Sequence, residues 1–178
     1  MPETERLTLE NHLERDSRLD VWSVVGLGPQ THTTDQWVRM ILSFELDASL
    51  PSELREIYSR AQATMVYGCY HYPLFTSGCE ELHRFQESVL RAAISETGAT
   101  SSTLKKKYKD LLDWSLNAGF MDARTLARWH ASRDLRNRAS HKKKSMLVGR
   151  NDALQHLSVT KELAEALFKA CRSPSSQI

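Results

Sequence analysis

Residues 77–98 read SGCEELHRFQESVLRAAISETG, and this stretch predicts the helix around which the chain folds. Ser77, with Glu80 three residues later, has the pattern of a capping box, so we expect the helix to begin there. Gly98 marks its end. The apolar residues recur at helical spacing and share one face, formed by Leu82, Phe85, Val89 and Ala93.

The segment before it predicts a second helix, from about Ser52 to Tyr70. Pro51 suits its first turn, and Pro73 breaks the pattern. Its apolar stripe consists of Leu54, Ile57, Ala61, Thr64 or Met65, and Gly68. Because only a short break separates the two helices, we expect an antiparallel helical hairpin over residues 52–97.

Weaker patterns flank this hairpin. The spacing predicts a helix over residues 35–44, one from Leu104 that stops near Gly119, one that Asp122 caps, and a last one that Asn151 or Asp152 caps. Residues 3–20 are only weakly periodic, and the segment from Val21 to Pro29 fits a short strand or a docking loop. The fold class is therefore predicted to be all-α, with about five to seven helices. The domain would span residues 51–172, after an N-terminal extension over 1–50 and before a frayed tail over 173–178.

Composition agrees with one globular domain. The chain has 178 residues, of which 40% are hydrophobic and 26% charged, and its seven glycines and five prolines are few enough to favour helices. Neither a signal peptide nor an apolar run of membrane-spanning length is visible. Three cysteines without a C-x-x-C pair fit a reducing compartment, so we expect a cytoplasmic protein without membrane contact.

The charge is unevenly spread although the net charge is only +2. Residues 1–20 hold six acidic and three basic side chains, whereas residues 133–150 hold seven Lys or Arg and one Asp. This asymmetry predicts contact with a polyanion at one place. Consecutive lysines without interleaved aromatic residues suit RNA phosphates rather than bases. The predicted RNA-binding residues are Arg138, Lys142, Lys143, Lys144 and Arg150.

Geometry adds detail to this basic stretch. On a helix, Arg133, Asn137 and His141 form one row, and Arg136 and Ser140 form the row beside it. Arg136 and His141 would lie about 140° apart, so they converge only where the helix bends or ends, or where two copies face each other. A guanidinium binds phosphate oxygens with a planar fork, and a histidine moves protons near neutral pH. A solvated basic helix end is the other interpretation.

A second cluster has the chemistry of a metal site. Cys69, His71, Cys79 and His83 are spaced C-x-H-x7-C-x3-H, and zinc accepts two cysteines and two histidines. Pro73 and a turn separate the two halves, and tyrosines and phenylalanine surround them, which favours a packed helix corner. We therefore expect no bound metal.

Residues 135–141, LRNRASH, resemble the R-N-x-x-x-H signature of HEPN domains, which are all-helical domains of prokaryotic toxins and antiviral effectors. Residues 70–94, YHYPLFTSGCEELHRFQESVLRAAI, and residues 111–122, LLDWSLNAGFMD, are similar to segments of uncharacterised bacterial HEPN-like proteins. The resemblance covers roughly residues 51–168.

The resemblance implies a metal-independent endoribonuclease without a cofactor. Two protomers would form one composite site and release 2′,3′-cyclic phosphate and 5′-hydroxyl ends. By position, Arg136 would bind the scissile phosphate, His141 would act as general acid or base, and Asn137 would orient the histidine. Glu87 matches a position that offers a carboxylate to the arginine in some members. Arg133 and Ser140, beside these residues on the helix, would support them.

The resemblance also implies partners. A toxin or defence effector of this kind would act as a homodimer on RNA, with a cognate antitoxin or defence-system partner. Lys143 stands where toxins silenced by a nucleotidyltransferase often have tyrosine, so adenylylation at that place is not expected. The alternative is a non-catalytic helical regulator, similar to the mannitol-repressor family, or an RNA- or protein-binding module.

Overall fold

Seven α-helices make up most of the computed structural model, which describes residues 7–19, 23–24, 28–29, 33–141 and 148–173. Side chains are described for these residues except 23–24, 28–29 and 135–141. The helices are α1 (Thr34–Leu42), α2 (Ser52–Tyr67), α3 (Leu74–Glu96), α4 (Ser101–Leu104), α5 (Tyr108–Asn117), α6 (Ala123–His141) and α7 (Arg150–Arg172). The prediction of an all-α bundle with five to seven helices is confirmed.

The segment before α1 has little regular structure in its described part. A 3-10 helix covers Ser17–Leu19, and a two-residue antiparallel pairing joins β1 (Ser23–Val24) to β2 (Gly28–Pro29). α1 then begins with a capping box that the sequence analysis did not predict. Thr33 Oγ1 accepts the backbone N–H of Gln36 at 3.2 Å, and Gln36 Oε1 accepts that of Thr33 at 2.9 Å.

The hairpin of α2 and α3 is the most closely packed pair in the bundle. Gly78 lies against α2, where a Cβ atom would come within 2.5 Å of Met65 Cγ and 3.2 Å of the Ala61 carbonyl oxygen. The missing side chain therefore lets the two helices approach closely. The predicted apolar face of α3 is fully covered at Leu82, Phe85, Val89 and Ala93.

α7 packs along α3 on the other side of the core and ties the hairpin to the C-terminal part of the chain. Tyr58 of α2 is 2% exposed, and its hydroxyl donates to the Leu157 carbonyl oxygen at 3.3 Å. α1 packs against the hairpin, since Trp37 packs edge-on against Phe75 and its Nε1 donates to the Met65 carbonyl oxygen at 3.3 Å. The core thus includes residues of the N-terminal extension as well, and the domain boundaries stay a prediction.

Two predicted helix starts are wrong. α3 begins at Leu74, so Ser77 lies inside the helix, where its N–H bonds to the Pro73 carbonyl oxygen at 3.3 Å. Burial of Phe75 against Trp37 and Tyr72 explains the added residues. α7 begins after Gly149, so neither Asn151 nor Asp152 is its cap.

The single helix predicted from Leu104 to near Gly119 is divided in the structure, where α4 ends at Leu104 and α5 covers Tyr108–Asn117. Thr100 caps the single turn of α4, and α5 begins only at Tyr108. In the break, Arg91 of α3 donates to the Leu104 and Lys106 carbonyl oxygens, which stabilises the chain outside a helix. The other differences concern helix ends: α1 ends at Leu42 instead of Phe44 and α2 at Tyr67 instead of Tyr70.

Within the described residues, none of the helices has the length and apolar character needed to cross a bilayer. Most of the predicted frayed tail, residues 174–178, lies outside the part of the chain that the structure describes.

Candidate functional site

α6 carries the predicted site, and the residues before it set where it begins. Gly119 follows α5 with a φ of +78°, which glycine adopts without strain. Asp122 then caps α6, as predicted, by accepting the backbone N–H of Thr125 at 2.7 Å. The same hydrogen bond lowers the pKa of Asp122, so the cap is charged at neutral pH.

The described side chains of α6 place little apolar surface in the core. From Ala123 to Asp134 only Trp129 and Ser132 are buried. Trp129 is fully covered beside Tyr108, with the two ring centroids 6.5 Å apart. The helix therefore docks through one large ring, the partly buried Leu126 and one small polar residue.

The signature residues lie on the last turns of this helix. The helical backbone continues without a break to His141, so positions 136, 137, 138, 140 and 141 have helical spacing. Position 136 follows Ser132 by one turn on the same row. The side chains of Arg136, Asn137, Arg138, Ser140 and His141 lie outside the described residues, as do Lys142, Lys143 and Lys144 altogether. Their predicted convergence stays a prediction.

Arg133 is a predicted supporting residue whose side chain is described. Its Nη2 donates to Asp134 Oδ1 at 3.3 Å, and these two side chains are 27% and 54% exposed. Such an exposed pair contributes little to stability. The Nε of Arg133 is buried without a hydrogen-bond partner among the described residues. Because this Nε is closed to solvent, an anion could reach only the exposed part of the guanidinium.

Glu87 lies on α3 and takes part in an ion pair within that helix. Its Oε1 accepts from Arg91 Nη2 at 2.9 Å, and both side chains are partly exposed. The predicted contact between Glu87 and Arg136 involves a side chain outside the described residues, so it stays a prediction.

Arg150, a predicted RNA-binding residue, is only 6% exposed. Its guanidinium stacks over Trp37, 5.5 Å from the ring centroid, at the beginning of α7. Burial, and secondarily the nearby Arg15, lower the pKa of Arg150. It lines a cavity of about 250 Å³ together with Arg18, Leu19, Tyr72, Gly149, Asn151 and Asp152. Its burial weighs against a role in binding the RNA backbone.

A group of polar side chains meets inside the bundle, where α3, α6 and α7 pack together. Ser132 Oγ donates to Gln86 Oε1 at 2.8 Å and lies 3.1 Å from His156 Nε2. Gln86 Nε2 donates to Thr160 Oγ1 at 3.2 Å, and the rings of His83 and His156 are 4.6 Å apart. None of these five residues, which we call the buried polar cluster, is more than 9% exposed.

The electrostatics of the cluster favour neutral histidine. Burial lowers the pKa of His156 to about 3, and the neighbouring His83 adds to the decrease. At neutral pH the His156 ring thus has one N–H donor and one acceptor nitrogen. Buried polar groups are costly when unpaired, so these hydrogen bonds are needed to stabilise the packing of the three helices.

This cluster was not predicted from the sequence, although the sequence contains a signal for it. Gln86 lies within the apolar face of α3, beside Phe85 and three residues before Val89. His156 likewise stands between the buried residues Ala153 and Leu157 of α7. Polar side chains at core positions usually have partners, so the pattern predicts a buried network but not which residues form it.

The Cys and His cluster is a packed corner in the described structure. Cys69 and Cys79 are buried free thiols, and burial raises their pKa to about 11 and about 12. Such thiols are protonated at neutral pH, as expected for cysteines that pack in the core. His83 belongs to the buried polar cluster, with Nδ1 3.4 Å from Gln86 Oε1. Among the described residues, no group of three or more His, Cys, Asp or Glu side chains could hold a metal ion.

Comparison of the chain with protein-family models, with curated proteins and with solved structures gave no match. The resemblance to HEPN domains thus stays a prediction from the motifs quoted above.

Proposed function

We propose that this protein is a metal-independent endoribonuclease of the HEPN type. The observation that carries the proposal is the R-N-x-x-x-H sequence at the end of an unbroken helix, α6, in whose described part Trp129 is the one fully buried large apolar side chain. A helix end with so little apolar surface is available for ligands rather than for the core. Its arginines, histidine and following lysines match the chemistry of a phosphodiester substrate.

The proposed reaction needs a phosphate clamp and proton transfer. The ribose 2′-oxygen attacks the adjacent phosphorus, and the bond from phosphorus to the 5′-oxygen breaks. A base accepts the 2′-hydroxyl proton, and an acid delivers a proton to the leaving oxygen. His141 performs one of these transfers, Arg136 stabilises the charge that develops on the phosphate, and Asn137 orients His141.

We propose a homodimer because one helix does not bring these groups together. Positions 136 and 141 are about 140° apart on a straight helix. A second copy of α6 across a two-fold axis would add its own arginine and histidine, and thus supply both a base and an acid. Light scattering at micromolar concentration should therefore give twice the mass of the chain, and a monomer with full cleavage activity would contradict this arrangement.

Part of the proposed binding surface adjoins the described part of α6. Arg133, whose side chain is 27% exposed, would contact a phosphate one turn from Asn137 through the part of its guanidinium that solvent reaches. Lys142, Lys143, Lys144 and Arg138 would bind further phosphates as point charges. Arg150 is left out of this surface because it is buried. As a toxin or defence effector, the protein would have an antitoxin or defence-system partner.

The direct test is cleavage of total RNA and of a labelled single-stranded RNA by purified protein with EDTA present. We expect cleavage that EDTA does not change. The new 3′ ends should resist phosphatase until acid opens the cyclic phosphate, and the 5′ ends should accept phosphate from a kinase directly. Arg136→Lys should recover only part of the rate lost in Arg136→Ala, because an ammonium lacks the bidentate fork.

The opposite result identifies the non-catalytic alternative. Binding of the labelled RNA without any cleavage, with and without added divalent cations, would indicate an RNA-binding module. Neither binding nor cleavage would leave a helical regulator that acts through protein contacts.

A further inference from the structure

The contacts that orient the described part of α6 lie mostly in its first two turns. Trp129 is the one fully buried large side chain among residues 123–134, Leu126 is partly buried against the core, and Arg128 pairs with Glu162 of α7 at the surface. The next buried residue is Ser132, which is 5% exposed and lies one turn before position 136. The last described anchor before the signature residues is therefore polar.

The direction of each hydrogen bond at Ser132 follows from the groups around it. A serine hydroxyl has one proton, and here it is donated to Gln86 Oε1 at 2.8 Å. His156 Nε2, 3.1 Å away, must then be protonated and donate to the Ser132 oxygen. Ser132 thus joins α6 to α3 through Gln86 and to α7 through His156.

A further hydrogen bond joins the two helices that Ser132 contacts. Gln86 Nε2 donates to Thr160 Oγ1 at 3.2 Å, so α3 and α7 are also bonded to each other. Three helices are held by hydrogen bonds that meet near one hydroxyl group. Because hydrogen bonds are directional, they restrict rotation and sliding of a helix more strongly than apolar contact does.

We propose that Ser132, Gln86 and His156 are positioning residues that hold the last turns of α6, and with them Arg136 and His141, in place against α3 and α7. The inference rests on the proposed function for its effect on RNA cleavage. The effect on the helix itself is independent of that function, so the two can be tested separately.

Ser132→Ala tests the inference, and Ser115→Ala is a matched control. Ser115 is also a fully buried serine, but its hydroxyl donates at 2.9 Å to Leu111 of its own helix, α5. We expect Ser132→Ala to lower kcat for RNA cleavage about 10-fold, since small misplacements of reacting groups are costly. KM should change less than about threefold because the basic residues that bind phosphate are intact. Ser115→Ala should retain the kcat of the wild type.

Two measurements do not depend on RNA. Amide hydrogen exchange of residues 133–141 should become about 10-fold faster in Ser132→Ala and stay unchanged in Ser115→Ala. The ¹⁵N chemical shifts of His156 should show the Nε2-protonated tautomer in the wild type and a mixture of tautomers in Ser132→Ala, where Nε2–H loses its acceptor. If Ser132→Ala does not fold, Ser132→Cys, which retains a weak donor, replaces it with smaller expected changes.

The outcomes separate the two proposals. A wild type that cuts no RNA contradicts the proposed function, and hydrogen exchange then decides the inference about the helix. Equal exchange in Ser132→Ala and Ser115→Ala overturns the inference in either case. An active wild type whose Ser132→Ala variant has faster exchange but an unchanged kcat would also overturn it, because the helix would then be held without positioning the site.

Discussion

The hairpin of α2 and α3 and the described part of α6 are both helical, but they are stabilised in different ways. Along α3, Leu82, Phe85 and Val89 are fully buried, and Gly78 allows α2 to approach closely. Along α6, the described side chains include one fully buried ring, Trp129, and a hydrogen-bonded serine. The hairpin therefore contributes a large share of the apolar burial, whereas the described part of α6 makes much less apolar contact, and we propose that the end of α6 serves RNA cleavage instead.

The largest expected effect is on the rate of RNA cleavage and comes from His141, at the end of α6. His141→Ala removes the proposed proton carrier and should lower the rate of RNA cleavage by about 10²–10⁴-fold. RNA affinity should stay within a few fold, because the basic residues supply most of it, and the urea midpoint should not change. His130→Ala is the matched control on the same helix, where Nε2 is 3.9 Å from Asp113 Oδ1 and the side chain is 27% exposed. Equal cleavage by the two variants would exclude His141 as the proton carrier.

In the hairpin, a core substitution should lower the stability of the fold and leave the cleavage rate unchanged. Phe85 is fully buried against Tyr58, with ring centroids 5.2 Å apart, so Phe85→Ala should lower the free energy of unfolding by about 3–5 kcal/mol. Urea denaturation measures this loss, and the cleavage rate per folded molecule should be unchanged. Arg84→Ala, at a side chain that is 71% exposed on the same helix, should change stability by less than about 0.5 kcal/mol. A similar loss in both variants would mean that burial does not determine the stability of the hairpin.

This difference also explains how much of the molecule the sequence could predict. The stripe of Leu82, Phe85, Val89 and Ala93 is repeated along α3, so helix type, buried face and hairpin all follow from spacing. The start of α3 does not follow from spacing in the same way. The local capping pattern is at Ser77, but α3 begins at Leu74 because Phe75 packs against Trp37, which is distant in the sequence.

The candidate site was predicted only in part, for a related reason. A motif such as R-N-x-x-x-H indicates which residues have the chemistry, and the unbroken helix agrees with the spacing on which that interpretation depends. The partners of Ser132 come from two other helices, 46 and 24 residues away in the sequence. No local periodicity encodes such pairings, so Gln86 and His156 could be recognised as unusual but not paired.

The buried polar cluster between the two regions should make stability depend on pH. The pKa of His156 is about 3 in the folded chain, below its ordinary value of 6.5, so below pH 6.5 the unfolded chain binds more protons at this site. Stability from this group is complete above about pH 6.5 and decreases toward pH 3, by about 2 kcal/mol between pH 6.5 and 4.5.

His156→Gln should reduce this slope by removing the titrating ring, whereas His12→Gln, at an exposed residue, should retain it. Urea denaturation at several pH values measures both slopes. Identical slopes in the wild type and His156→Gln would show that the ring is not buried as a neutral group.

The smallest expected effect is on RNA affinity, and a second run of lysines in the chain serves as its control. Lys142, Lys143 and Lys144 follow the signature, while Lys105, Lys106 and Lys107 form an exposed run of equal charge between α4 and α5. If the first run binds RNA phosphates, replacing its three lysines with alanine should reduce the slope of log affinity against log salt concentration by about 2, since each phosphate contact on a single strand contributes about 0.7. Sequence preference should not change, because ammonium groups at phosphates do not read bases.

The same replacement of residues 105–107 removes the same net charge and should leave the slope nearly unaltered. Equal decreases in both variants would mean that RNA responds to the overall charge of the protein rather than to a surface at the end of α6, and the functional difference between α6 and the rest of the bundle would then be confined to cleavage.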